Sequence, residues 1–518
     1  MSASSPQPAS FAVPEPIGRA ASALSLLLAG VVLAAFWAAK VRLFDGLEYT
    51  SDLFLFLQIA TSAVDGRPLL HENLYGGHLP LHGYWLLPLF GPLVRWLGAR
   101  AFFAVHLALL AAAAAAVAAL ALRVPAPVRA WGLAPLALLL GPVSFWLLDD
   151  PTYGWHVELL YVPLGCLFMA ALIAGSRAAW LCAAAMVLLR EDGAIVAWAL
   201  HATWEMARPG RSPPRARLLR LGALTAGWVA VFALGMLPQL AAQGSVRGSR
   251  VSALLARVPL VLGEAPLRAV FAASFADLVL LLGAGALAVV LLLPRRAIAA
   301  AAACSLPLLA AAEVGSLLYV DADPRTHGVA WPERFAMFWA LLVGAALLAL
   351  QDDQAPTRPA ARAGPALALL AVLGSCTAQV WALQARRGYS VVPRLSQGLL
   401  GARQPLQSEA FSAVELAALR CLGRTLPAGL GVTTAGNLYA TFERQLIVQP
   451  DRLGLAIGFP EVFACDRRGR VRWDYGCEAA RRGLPRGFSE LRLEGLTVSS
   501  LARWRAVVEQ CGFSLDAR

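Results

Sequence analysis

Lysine is nearly absent from this sequence: Lys40 is the only one, and arginine supplies the rest of the 44 basic residues. Charge of either sign is sparse, at 15% of 518 residues, against 58% hydrophobic. That balance excludes a disordered chain, and a mean hydropathy of +0.62 excludes an ordinary soluble enzyme. Cysteine is scarce as well, with eight residues and no C-x-x-C pair, so neither a zinc ribbon nor a dithiol redox motif is supported. Histidine stops at His327, which rules out a Cys/His metal site confined to the C-terminal region. No Gly-rich phosphate loop, G-x-S-x-G, H-E-x-x-H or heptad repeat occurs.

What the chain does have is apolar sequence in runs of about 18–25 residues, long enough to cross a hydrocarbon core of roughly 30 Å. The pattern predicts an all-α polytopic membrane domain with about 11 transmembrane helices. They fall near residues 20–39, 100–122, 130–148, 157–175, 178–190, 193–206, 221–240, 269–293, 297–320, 334–351 and 364–383. The first run is long for a signal-peptide core and reads as an uncleaved span, leaving residues 1–19 as a cytoplasmic tail. Residues 178–206 must form two short helices hinged at Arg190-Glu191-Asp192-Gly193, and residues 80–97, with three prolines, must lie in the interface.

Orientation follows from Arg208, Arg211, Arg215, Arg217 and Arg220, a run without an acid that marks the cytoplasmic side. Segments 40–99, 149–156, 191–192, 241–268 and 321–333 then fall outside and collect the carboxylates. The domain over residues 20–383 therefore carries a large outer loop at 40–99.

From residue 384 the composition becomes charged and mixed, and residues 384–518 read as a small extracytoplasmic α/β domain. Val432-Thr433-Thr434 and Leu446-Ile447-Val448 predict short strands, and Ala413–Leu426 an amphipathic helix. In an oxidising compartment Cys465 with Cys477, or Cys421 with Cys511, are candidate disulfides; four unpaired cysteines are the alternative. The net charge of +12 requires no nucleic acid and suits a surface near anionic headgroups or phosphates.

The chemistry-bearing residues gather in the outer segments. Asp45, Glu48, Tyr49, Ser51 and Asp52 precede an apolar helical pattern, where Ser51 or Asp52 is placed to cap the helix. His78 and His82, at i and i+4, would share one helix face and are candidate metal ligands, although such histidines more often hydrogen-bond at a wet surface. Asp149, Asp150, His156 and Glu158 flank the start of another span. Arg190, Glu191 and Asp192 interrupt apolar sequence, where ionisable groups are costly unless paired or hydrated; they line a polar cavity or neutralise one another. Asp321 and Asp323 form a D-x-D pair, a candidate divalent-cation site, and Arg325 and Arg334 beside it are suited to grip a phosphate.

A first span, an acidic outer loop with interfacial helices, many further spans and an outer α/β domain together resemble the GT-C superfamily of polyprenyl-phosphate-sugar-dependent glycosyltransferases. Within it the chain is most similar to a family of bacterial predicted membrane proteins of unknown function. The matching pieces are Ser51-Asp52-Leu53 with Gln58 and Gly66, His78-Leu79-Pro80 leading to Leu87-Pro88-Leu89-Phe90, His156-Val157-Glu158, and Leu189-Arg190-Glu191-Asp192. Arg190 stands where the resemblance leads one to expect lysine.

The resemblance implies a bacterial inner-membrane enzyme with a polyprenyl-phosphate-sugar donor and the bilayer as its surroundings. It implies Asp52 as general base, with Glu191, Asp192, His156 and Glu158 completing the cavity, orienting the acceptor or binding a divalent cation, and His78 and Arg190 as further candidate substrate-binding residues. A transporter or lipid flippase, and a non-catalytic assembly protein, are the alternative readings.

Overall fold

In the computed structural model the described residues are essentially 16–50, 52–73, 76–79, 82–123, 133–140, 154–207, 214–241, short pieces of 256–265, 332–349, 406–448, 460–471 and 487–515. They are mostly helical, with some sheet. Three described helices are long and apolar enough to cross a membrane: α1 (Pro16–Asp45), α4 (Arg100–Arg123) and α9 (Pro214–Ala241). Shorter apolar helices lie between them: α2 (Asp52–Thr61), α3 (Gly91–Leu97), α5 (Leu133–Leu140), α6 (Tyr161–Ile173), α7 (Ala178–Leu189) and α8 (Gly193–Ala207). Another, α10 (Pro332–Ala349), follows α9. The expected spans at 269–293, 297–320 and 364–383, and most of that at 130–148, lie outside the described residues; among the described residues three helices meet the length and apolarity of a membrane span, against about eleven expected for the whole chain.

The core is built on α6, which packs against α4, α7, α8 and α10. Small residues set these approaches, as expected where no hydrophobic drive separates helix from lipid. A Cβ at Gly165 on α6 would sit 2.9 Å from Ala340 Cβ, and one at Gly344 on α10 would sit 2.7 Å from Leu200 Cδ2. The alanine run on α4 plays the same part, with Ala113 and Ala114 buried.

The expected hinge at residues 190–193 is present. Helix α7 ends at Leu189, Arg190 is extended (φ −165°, ψ 159°), and α8 restarts at Gly193. A Cβ at Gly193 would fall on the Met186 carbonyl, so only glycine lets the second helix begin so close to the first. Residues 87–97 form a single 3-10 turn followed by α3, too short to cross a bilayer.

The segment after the first long helix starts later than expected, because α1 continues to Asp45. Beyond α2 it holds a two-stranded antiparallel ribbon, β1 (His71–Glu72) with β2 (Gly76–Gly77). Leu86 N–H then donates to Leu188 O at 2.8 Å, which ties this loop to the end of α7.

Residues 406–515 carry the α/β unit. Helix α11 (Ala413–Thr425) opens on a capping box: Ser412 Oγ accepts from Glu415 N–H at 3.1 Å, and Glu415 Oε2 accepts from Ser412 N–H at 2.9 Å. Strands β3 (Gly431–Thr434), β4 (Leu446–Ile447), β5 (Val462–Asp466), β6 (Phe488–Leu493) and β7 (Leu496–Leu501) form one sheet in the order β4-β3-β5-β7-β6. The first three are parallel, and β7 pairs antiparallel with both β5 and β6. Leu419 and Leu422 of α11 pack with Val432, Ala464, Leu491 and Val498 of the sheet. A last helix, α12 (Arg505–Gln510), is followed by Cys511, which is disulfide-bonded to Cys421. Cys465 is disulfide-bonded too; Cys477 lies outside the described residues.

This unit rests on the segment joining α1 to α4 through polar contacts. Glu48 Oε1 accepts from Gln407 N–H at 2.8 Å, Asn437 Nδ2 donates to Leu47 O at 2.8 Å, and Gln58 Nε2 donates to Ile447 O at 3.2 Å. Glu443 Oε2 accepts from Ala99 N–H at 2.9 Å, just before α4, where a helix leaves N–H groups unpaired.

Candidate active site

The segment between α1 and α4, the segment before α6 and the α7–α8 hinge converge on one cluster of ionisable side chains. Asp52 is the first residue of α2. Its Oδ2 lies 3.2 Å from His156 Nε2, with the Asp52 side chain 40% exposed and that of His156 8%. Phe56, one turn along α2, places its ring 5.7 Å from His156, 5.6 Å from Trp155 and 5.4 Å from Tyr84, all edge to face.

Two residues beyond His156, Glu158 enters the hinge network. The Arg190 guanidinium contacts the Glu158 carboxylate through Nη1, and its Nη2 lies 2.6 Å from Asp192 Oδ2. Asp192 Oδ1 also accepts from Tyr161 Oη at 2.5 Å. Burial pushes the Asp192 carboxyl upward, against the pull of Arg190. Glu158 Oε2 is buried without a hydrogen-bond partner among the described residues, leaving an acceptor that a polar ligand group would satisfy.

Glu191 turns to the loop instead. Its Oε1 lies 2.9 Å from His82 Nδ1, and its Oε2 accepts from Gly83 N–H at 3.3 Å. His78 Nδ1 is 3.4 Å from Glu72 Oε1. The His78 and His82 rings are 6.1 Å apart, and Tyr84 stands 5.2 Å and 5.1 Å from them.

Residues 80 and 81, between the two histidines, lie outside the described residues; His82 N–H donates to His78 O at 3.0 Å, and each imidazole faces a different carboxylate, His78 that of Glu72 and His82 that of Glu191. Among the described residues, no group of three or more His, Cys, Asp or Glu side chains is arranged to hold a metal ion. Of the two expectations for Arg190, lining a polar cavity or pairing with its neighbours, the structure shows the pairing: it is engaged by Glu158 and Asp192, with Glu191 Oε1 3.9 Å from Nε. Asp321, Asp323 and Arg325 lie outside the described residues, and Arg334 lies in the first turn of α10.

Two participants carry no signal that sequence reading exploited. Tyr161 sits within an apolar run, and only its place three residues after Glu158, one helical turn on, aligns it with the acidic residues. Lys40 is conspicuous as the single lysine, yet its role depends on a contact across 114 residues: Nζ donates to Gly154 O at 2.5 Å and lies 4.7 Å from the Tyr49 ring. Gly154 has φ +81°, and a Cβ there would sit 2.6 Å from Tyr49 Cγ. Lys40 and Tyr49 thus hold the turn that presents Trp155 and His156.

Residues 45–264 match the model of a family described as Predicted membrane protein (DUF2079), which supports a membrane family of unknown function. The matched stretch contains Asp52, His156, Glu158 and the whole hinge. No curated protein and no solved structure matches.

Proposed function

We propose that the protein is an integral membrane glycosyltransferase, moving a sugar from a polyprenyl-phosphate-linked donor to an acceptor on the outer face of a bacterial inner membrane. The observation that carries this reading is the pairing of a half-exposed Asp52 with a buried His156. Around that pair the neighbouring Glu158 and Asp192 are already charge-compensated by Arg190.

Asp52 Oδ accepts the proton of the acceptor hydroxyl as its oxygen bonds to the anomeric carbon. The bond from that carbon to the donor phosphate oxygen breaks, and the electron pair leaves with the lipid phosphate. His156 holds the carboxylate in place, and Glu158 Oε2 is an acceptor for a sugar hydroxyl. Arg190, held by carboxylates, offsets part of the cluster's negative charge rather than gripping phosphate.

The same reading divides the chain into a cytoplasmic tail at 1–19, a membrane domain at 20–383 and an extracytoplasmic domain at 384–518. Disulfide-bonded Cys421, Cys511 and Cys465 support an oxidising location for the last.

The test is Asp52→Asn. Transfer from a lipid-linked sugar in membranes is expected to fall by about 10²–10⁴-fold, the usual weight of a general base, with insertion and the Cys421–Cys511 disulfide retained. A well-inserted variant with unchanged envelope glycans overturns the assignment. Reporter fusions after residues 213 and 400 test the orientation, and both on one side would overturn it.

A further inference from the structure

A second polar feature lies apart from the acidic cluster, where the α/β unit meets the ends of two long helices. A cavity of about 220 Å³ is lined by Phe44 and Asp45 at the end of α1, Arg100 at the start of α4, and Arg420, Arg424 and Arg444 of the α/β unit. One water needs only roughly 10–15 Å³ of such space, so a phosphate group fits with part of its hydration.

Four guanidinium groups thus face two carboxylates, and both carboxylates are already engaged. Asp45 Oδ1 is 2.5 Å from Arg100 Nη2, and Glu443 Oε2 accepts the Ala99 N–H. Arg100 is fixed further by lying 5.3 Å from the Phe44 ring. Among the described residues, the solvent-exposed side chains of Arg420 and Arg424 have neither a hydrogen bond nor an ion pair, while Arg444, also exposed, acts electrostatically on Glu443. Arg420 and Arg424 stand at i and i+4 on α11, a spacing at which like charges repel. An anion held between them would relieve that repulsion.

We infer that this cavity binds a phosphate group, and that its source is an anionic lipid headgroup. α1 and α4 are two of the helices long enough to span a bilayer, and the cavity lies at their adjoining ends. An arginine pocket at such a level meets headgroup phosphates and pairs with them through parallel N–H donors. Bound there, a lipid fastens the α/β unit to the membrane helices. The inference does not rest on the glycosyltransferase reading.

The experiment uses the full-length protein in neutral detergent, titrated with phosphatidylglycerol, phosphatidylcholine or inorganic phosphate, with thermal unfolding and native mass spectrometry as readouts. Phosphatidylglycerol is expected to bind and raise the unfolding temperature. In the Arg420→Gln/Arg424→Gln/Arg444→Gln variant its affinity should drop roughly fivefold per arginine, about a hundredfold in all.

If inorganic phosphate alone reproduces the shift and the triple variant loses it, the site stands and its source is a soluble phosphate. Equal binding by wild type and triple variant, or equal effects of phosphatidylglycerol and phosphatidylcholine, overturns the inference. Wild type supplies an independent check: raising salt from about 0.1 to 1 M shortens the Debye length from about 10 to 3 Å and should weaken the lipid effect. A salt-independent effect would also overturn it.

Discussion

His156 Nε2 meets the Asp52 carboxylate at 3.2 Å, joining the first residue of α2 to the turn that precedes α6, 104 residues away. Asp52 remains open to solvent while the imidazole is buried, so the imidazole is the fixed partner and the carboxylate the reachable one. His156→Gln is therefore expected to lower the turnover of sugar transfer by tenfold or more with KM little changed, whereas a merely structural histidine would lower thermal stability instead. Steady-state kinetics beside a thermal unfolding curve separates the two.

Arg190 is the single cation among Glu158, Glu191 and Asp192. Arg190→Met removes it and leaves buried carboxylates uncompensated, which costs about 3–5 kcal/mol. The variant is expected to lose yield in detergent and to unfold at lower temperature. Arg190→Lys keeps the charge but loses the fork that reaches two carboxylates at once, and it should fall between the two. An Arg190→Met protein as stable as wild type would show that the network adds nothing to the hinge.

The Cys421–Cys511 bridge links α11 to the end of α12 across 90 residues. Closing so long a loop limits the unfolded chain, and the double Cys421→Ser/Cys511→Ser variant is expected to lose about 2–4 kcal/mol. Protease cleavage confined to the α/β unit, while the helical part stays intact, is the readout.

Glu415 predicts an acid-sensitive α/β unit. Burial alone would push its carboxyl up, but Arg470 and the N–H groups of Ser412 and Gly495 outweigh burial and hold it down at about 2, from an ordinary value of 4.5. A depressed folded-state value means the stabilisation is complete above about pH 4.5 and is lost as the pH falls towards 2. Limited proteolysis across that window should show the unit opening in acid. Glu415→Gln should be less stable at neutral pH and should lose part of this dependence.

By itself the sequence determined the membrane character, the interrupted helix at 190–193 and the helix and first strands of the α/β unit. Each is written in local pattern: apolar run length, a charged break before glycine, amphipathic spacing over Ala413–Leu426. It also named most of the cluster, because ionisable residues in so apolar a chain are few.

Only the tertiary structure decided how they combine. Local spacing put His78 and His82 on one helix face, but the fold turns them to Glu72 and Glu191. Arg190 could line a polar cavity or pair with its neighbours in sequence, and packing gives it to carboxylates from two segments, Glu158 and Asp192. Tyr161, Lys40 and the arginine cavity depend on contacts between residues distant in the chain or on different elements. Such contacts are set by which helix faces pack, and no local period in the sequence encodes them.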